Sequence, residues 1–293
     1  MPPDGVKWID HNEILRYEEL LRIIGAFISL GVDKVRITGG EPLVRKGLLP
    51  FLRKIKMIPG IKEVALTTNG SMLKEYASLL KEAGVDRINV SLDTLQRERF
   101  IKLTGQDKLA EVLAGIKKAQ EVGFKPIKIN MVVMKGFNTD EILEMAALAI
   151  NNPYQIRFIE YMPFQIGENY LYKADEIVGQ LIVAGFPKLI PERSDNSSSR
   201  IYHIADSQGS IGFIAPVSQE FCNACNRIRL TPDGYLKPCL LSNDEYCLRE
   251  ELRSGISDQE LMERIKQVIR NKPKQHYLGQ GQMSERGMSR IGG

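Results

Sequence analysis

Among 293 residues there is one tryptophan, three histidines and no cysteine at all before position 222. The four cysteines, Cys222, Cys225, Cys239 and Cys247, crowd into the C-terminal quarter. A chain this long needs no disulfide staples, so that placement argues against an extracellular disulfide framework and for metal ligation in a reducing compartment. His11, His203 and His276 are isolated, with no H-x-x-H spacing and no carboxylate expected to pair with them, which leaves histidine-based chemistry without a candidate. No apolar run reaches the roughly 18 residues that span a bilayer. The opening Met1-Pro-Pro-Asp-Gly has neither the basic nor the apolar region of a secretory leader, so a cytoplasmic protein without membrane contact is expected. Charge of one sign is also scarce: 40 basic against 36 acidic residues give a net +4. An excess that small describes a solvated surface and supplies no concentrated basic face for nucleic acid.

What is present is a chain 43% hydrophobic and 26% charged, enough for a sizeable core in one large domain with appendages or in two smaller ones. From residue 33 to about 163, short β-branched runs alternate with amphipathic segments, the pattern of βα units on a parallel sheet. Strands are expected at 34–38, 63–67, 87–92, 127–133 and 156–161, and helices at 16–30, 74–84, 109–123 and 139–150. The first helix has no strand before it, and a sixth strand there would complete six βα units. Five visible strands suit an open, partial barrel better than a closed eight-fold one.

The strand ends are polar: Thr38-Gly39-Gly40-Glu41-Pro42, Thr67-Thr68-Asn69-Gly70, Asn89-Val-Ser91-Leu-Asp93 and Glu160-Tyr-Met162-Pro163. In parallel α/β folds the carboxyl ends of strands are where ligands bind. Two adjacent glycines let a ligand approach backbone, and Glu41 can accept hydrogen bonds from an amine. Beyond Pro163 the rhythm changes to a loop at 195–199, a β-hairpin of 200–205 with 210–215, a second hairpin turning at Pro232-Asp-Gly234, and a helix at 257–271 capped by Ser257 or Asp258. That second hairpin is expected to bring Cys225 and Cys239 together. A C-x2-C pair plus a third thiolate binds iron-sulfur or zinc, and Arg227 and Arg229 between the ligands suit an anion beside the metal.

Lys34-Val-Arg36-Ile-Thr38-Gly-Gly-Glu-Pro, Thr68-Asn-Gly70, Asn89-Val-Ser-Leu-Asp93, Phe221-Cys-x2-Cys-Asn-Arg-x-Arg229 and the terminal Ile291-Gly292-Gly293 together resemble GTP 3′,8-cyclase, the radical S-adenosylmethionine (SAM) enzyme that opens molybdenum-cofactor biosynthesis. The resemblance runs over essentially the whole chain. It implies a partial (βα)6 barrel of the radical SAM type over residues 1–165, lacking its first strand, and a C-terminal region over 166–293 with a β-hairpin extension and an auxiliary [4Fe-4S] cluster. It further implies that Gly39, Gly40, Ser91 and the backbone near Met162 hold SAM, and that Lys34, Arg36, Thr67, Lys128, Arg157, Arg227 and Arg229 hold GTP. Cys222, Cys225 and Cys239 would bind the cluster with one iron left open for guanine, and Gly292 and Gly293 would thread toward the active site. The implied partners are an electron donor and the cyclic pyranopterin monophosphate synthase that takes the product, and a homodimer is compatible with the reading.

The family's N-terminal C-x3-C-x2-Tyr-Cys-Met-Pro motif ends in the dipeptide Met1-Pro2 with which this sequence begins, so the first strand and its cluster loop are expected to have been cut away by a late start or fragmentation. Three alternatives stand beside the cyclase: a cluster-less truncated homologue, a zinc module in which Cys222, Cys225, Cys239 and Cys247 close a four-thiolate site for nucleic acid, and a radical SAM enzyme acting on a peptide. Cys247 reads as a small buried or surface thiol, Trp8 and the aromatics of 161–164 as packing, and Asp93 as orienting a neighbour or capping a helix.

Overall fold

The computed structural model describes residues 9–162, 170–192, 199–275, 286 and 291. Trp8, Phe164, His276, Gly292 and Gly293 lie outside them. The chain divides into two compact units, one formed by residues 1–66, 79–86 and 227–293, the other by 67–78 and 87–226.

In the first unit, α1 (Tyr17–Ser29) is a helix because Leu20, Ile23, Ala26, Phe27 and Leu30 recur at three- and four-residue intervals. Its amino end is closed by Glu19, whose carboxylate accepts the Arg16 N–H at 2.6 Å. β1 (Lys34–Ile37), α2 (Leu48–Lys56) and β2 (Glu63–Thr68) follow, with β1 parallel to β2 and Lys34 level with Glu63. β2 runs through both units, ending with Thr67 and Thr68 in the second. α3 (Leu73–Glu82) crosses the same boundary. Behind it, Lys56 reaches both oxygens of Asp86 at 2.9 and 2.7 Å while Asp86 accepts the Val64 N–H.

The second unit carries β3 (Arg87–Ser91), α4 (Arg97–Thr104), α5 (Leu109–Glu121), β4 (Ile127–Val133), α6 (Ile142–Ala147), β5 (Tyr154–Glu160), α7 (Ala174–Val183), β6 (Leu189–Pro191), β7 (Arg200–Ile204) and β8 (Ser210–Ile214). Its strand order is β3-β4-β5-β8-β7-β6. β3, β4 and β5 are parallel, and the expected β7–β8 hairpin forms. β8 is itself the parallel neighbour of β5, so the hairpin is built into the main sheet rather than appended beyond it. α7 and β6 were not expected from the sequence.

The C-terminal part of the first unit holds β9 (Arg229–Leu230), β10 (Tyr235–Lys237) and β11 (Tyr246–Cys247) in the order β11-β10-β9, then α8 (Leu248–Arg253) and α9 (Asp258–Arg270). α9 starts at Ser257, whose hydroxyl accepts the Glu260 N–H while Glu260 accepts the Ser257 N–H, a reciprocal capping box. Leu261, Ile265 and Val268 of α9 are fully buried against Leu15, Ile23, Phe27, Leu236 and Leu248. Each such side chain contributes roughly 1.5–3 kcal/mol relative to exposure. Among the described residues no helix is long and apolar enough to cross a membrane.

Candidate active site

Side chains alternate across a strand, so residues two apart share a face and the register decides which ones meet. In the second unit one face is apolar: Ile88, Val90, Ile127, Ile129, Met131, Ile156, Phe158, Ile211 and Phe213 are all buried. The other face carries two polar rows, followed by an apolar one of Val132, Ile159 and Ile214. Asn89, Lys128, Gln155 and Ser210 are level with one another, and so are Ser91, Asn130, Arg157 and Gly212. Three of the sequence-predicted residues, Ser91, Lys128 and Arg157, therefore share one face, and Thr67 joins them by accepting a 3.4 Å hydrogen bond from the Asn89 amide.

Lys128 and Arg157 are each only 8% exposed, yet neither row contains a carboxylate. Two buried cations whose register neighbours add no negative charge create a positive potential suited to an anion. Arg157 is oriented by a 3.0 Å bond from Nε to Gln155, which in turn donates to Ser210 at 3.2 Å. Gly212 keeps the Arg157 stem unobstructed, because a Cβ there would lie 3.2 Å from Arg157 Cγ and 2.5 Å from Ser199 Oγ. The buried Oδ1 of Asn130 accepts no hydrogen bond among the described residues. It is an acceptor level with both Ser91 and Arg157, and it fits a ligand that brings a donor.

At the strand ends, Glu160 is 1% exposed. Its carboxylate accepts the N–H groups of Ala174, Val217 and Ser218 at 3.0, 3.1 and 2.9 Å, together with the Ser218 hydroxyl. It thereby fixes the segment that leads to Cys222 directly beside the Tyr161-Met162 backbone. Met162 is partly buried, and Tyr161 meets Tyr170 edge-on at 5.5 Å, the packing role expected of it. Asp93 accepts the Val132 N–H at 2.8 Å, and burial pushes its carboxyl up to about 6. Cys222 and Cys225 sit on one 3₁₀ turn closed by the Cys225 N–H to the Cys222 carbonyl at 3.1 Å.

In the first unit, Lys34 and Arg36 are exposed on one face of β1. Gly39 has φ 150°, a conformation other residues rarely adopt, and a Cβ at Gly39 or Gly40 would meet nothing within 4 Å. Among the described residues the bare backbone has no neighbour there, as a close ligand contact requires. Glu41 caps the following turn by accepting the Leu43 N–H at 3.1 Å, so part of its carboxylate is committed to the fold. The expected second hairpin forms from β9 and β10, with Arg229 opposite Lys237. Arg227 precedes it by two residues and Cys239 follows it by two, at the same open end. Cys225 belongs to the other unit. Arg229 donates to the Ile291 carbonyl at 3.3 Å, and Ile291 is 2% exposed. Cys247 lies across from Tyr235 at the turn end of β10, away from Cys239.

None of the four thiols is in a disulfide and all are partly exposed. Three soft sulfur donors suit iron in an Fe–S cluster. Among the described residues no three His, Cys, Asp or Glu side chains gather as a ready metal site. His203 does meet a carboxylate, Glu192 at 3.4 Å, which corrects the expectation that it stands alone. Asn89, Asn130 and Gln155 were not singled out from the sequence, although each lies at an even spacing from Ser91, Lys128 or Arg157 and so was findable by alternation.

The Radical SAM superfamily profile matches residues 4–149, and the Molybdenum Cofactor Synthesis C profile matches residues 154–278. The solved SuiB from Streptococcus suis bound to S-adenosylmethionine is similar in fold, with a TM-score of 0.61 and 18% identity over 89% of this chain and 62% of that one. The fold is thus the open, partial α/β barrel of the radical SAM class, whose cofactors are a [4Fe-4S] cluster and SAM. GTP 3′,8-cyclase of Pelotomaculum thermopropionicum is 43% identical over the whole chain and 92% of its own length, and that of Alkaliphilus oremlandii is 42% identical with the same coverage. The chain belongs to the GTP 3′,8-cyclase family, enzymes of the first step of molybdenum-cofactor biosynthesis. That membership sets aside the zinc module and the peptide-modifying enzyme.

Proposed function

We propose that this chain binds GTP and SAM with the residues named from its sequence, residues 1–165 forming the SAM and GTP barrel and 166–293 the auxiliary-cluster region. The observation that carries the reading is the clustering of two buried cations, Lys128 and Arg157, with Thr67, Asn89, Ser91 and Asn130 on one face of the strands. Lys128 and Arg157 neutralise the triphosphate together with Lys34 and Arg36, while Thr67 donates to it. Gly39 and Gly40 leave room for the methionine end of SAM, Ser91 bonds its ribose, and the Met162 backbone holds the adenine. Cys222, Cys225 and Cys239 hold the auxiliary [4Fe-4S] cluster, and Arg227 and Arg229 orient the nucleotide beside it. When bound, SAM and an iron-sulfur cluster would supply the radical chemistry that takes the ribose 3′ hydrogen; bonding of C3′ to guanine C8, with one electron from the donor and one proton, then gives 3′,8-cyclo-7,8-dihydro-GTP. The residues themselves bind, orient and exclude water from that chemistry.

The product goes to a cyclic pyranopterin monophosphate synthase, a one-electron donor feeds the reaction, and both fit a cytoplasmic protein or homodimer. Gly292 and Gly293, which lie outside the described residues, serve the nucleotide site in this reading, since two residues without side chains can enter a space where others would clash.

Anaerobic iron and sulfide analysis after reconstitution tests this reading, with Cys239→Ala as control. About four irons bound through these cysteines, lost in the control and spectrally shifted by GTP, is the expected result. Stoichiometric zinc with no GTP response would overturn it. In a version that carries the family's N-terminal C-x3-C-x2-Tyr-Cys motif, deleting Gly292 and Gly293 is expected to abolish cyclisation and leave cluster content intact.

A further inference from the structure

Arg286 lies near the C-terminus, far in sequence from the hairpin, yet it is built into it. Its Nη1 bonds Asp233 at 2.8 Å, its Nε bonds Glu245 at 2.7 Å, and its guanidinium lies 4.6 Å from the centre of the Tyr235 ring. The arginine side chain is 20% exposed, and the two acids are 12% and 17% exposed.

The carboxylates are organised for this guest. Glu245 divides its oxygens, one to Arg286 and the other to Lys237, which is fully buried and also donates to the Ser242 carbonyl at 2.9 Å. Two acids thus meet two cations, and loss of Arg286 would leave Asp233 and Glu245 facing Lys237 with the charge unbalanced in a site poor in water. Burial would raise the Asp233 carboxyl, but hydrogen bonds from Thr231 and Arg286 outweigh it and hold the carboxyl below its ordinary range.

Lys237 is the register partner of Arg229, and Arg229 holds the Ile291 carbonyl. Arg286 and Ile291 are thus each fastened to the same hairpin, residue 286 on the β10 side and residue 291 on the β9 side.

We propose that Arg286 is a positioning residue: locked between Asp233 and Glu245 over Tyr235, it sets the register of the C-terminal segment so that the Ile291 carbonyl fixes the direction of the Arg229 guanidinium. The inference rests on Arg229 being a nucleotide ligand, as proposed above. Arg286 acts through Arg229 and touches no substrate.

The test uses the full chain, anaerobically reconstituted, as wild type, Arg286→Gln, Arg286→Lys and Asp233→Asn. Three quantities are read: the rate at which carboxypeptidase Y shortens the C-terminus, followed by mass spectrometry, the affinity for GTP, and the melting temperature. Loss of the two-pronged charged contact is expected to speed trimming about tenfold or more and to weaken GTP binding by about tenfold in Arg286→Gln. Arg286→Lys, which keeps the charge and loses the fork, recovers part of both, and Asp233→Asn falls between. A merely structural arginine would lower the melting temperature without changing GTP affinity in the folded protein, and that result overturns the proposal. Unchanged trimming in both Arg286→Gln and Asp233→Asn overturns it as well. A wild-type chain that binds no GTP would instead overturn the nucleotide reading, and the inference with it.

Discussion

The polar face of the parallel strands and the C-terminal hairpin each bury a lysine and present an arginine, but they treat the charges in opposite ways. On the sheet, Lys128 and Arg157 stand in rows of Asn, Gln, Ser and Gly. On the hairpin, Lys237 and Arg286 share Asp233 and Glu245. A cation matched by acids within the fold holds the fold together. Beside Lys128 and Arg157 the register neighbours are amides, hydroxyls and a glycine, which add no negative charge of their own.

That contrast can be broken by exchanging each lysine for methionine. Lys237→Met strands part of the hairpin's negative charge away from water and is expected to cost about 3–5 kcal/mol in urea unfolding. Lys128→Met leaves no carboxylate of its row stranded, so the stability loss is expected to stay under about 1.5 kcal/mol while GTP affinity falls about tenfold or more. Equal stability losses in the two variants would dissolve the distinction.

Asp93 sharpens the comparison, because it is an acid at the exit of β3 whose carboxyl is governed chiefly by burial. Its folded carboxyl titrates near 6 against about 3.9 in the unfolded chain. The folded state therefore prefers the protonated form. The group's favourable contribution is complete below pH about 4 and is lost as the pH rises through 6. Asp93→Asn is expected to be more stable than wild type at pH 7.5, by at most about 3 kcal/mol, with the advantage gone at pH 4. Urea midpoints at the two pH values decide it, and a pH-independent difference would refute the assignment. The smallest effect is expected at Ser257, which caps α9: Ser257→Ala should cost about 1 kcal/mol and leave GTP affinity unchanged, since no nucleotide-facing residue depends on it.

The sheet was the legible half. Alternation within 87–92 and 127–133 already places Ser91 with Asn89 and Lys128 with Asn130, and β4 runs over Ile127–Val133 as expected. Helices α1, α3, α5 and α9 lie within a residue or two of their apolar stripes and caps. α7 was missed because Ile177, Val178, Ile182 and Val183 carry strand propensity, and the stripe of Ala174, Ile177 and Leu181 acquires meaning only when those three are seen buried. Glu160 was visible as a polar residue at a strand end, but its donors come from residues 174, 217 and 218. The Arg286 cluster likewise joins residues 41 and 53 positions apart. Local periodicity is blind to pairings of that span.

Asn130 Oδ1 has a consequence of its own. A buried oxygen that accepts nothing from the described fold costs about 1–3 kcal/mol until a donor arrives. The protein therefore carries a small debt that only a molecule bearing an N–H or O–H at that point can discharge. An analogue of the same shape with a bare acceptor there would meet oxygen against oxygen, so the sheet selects its visitor by what it lacks as much as by the charges it displays.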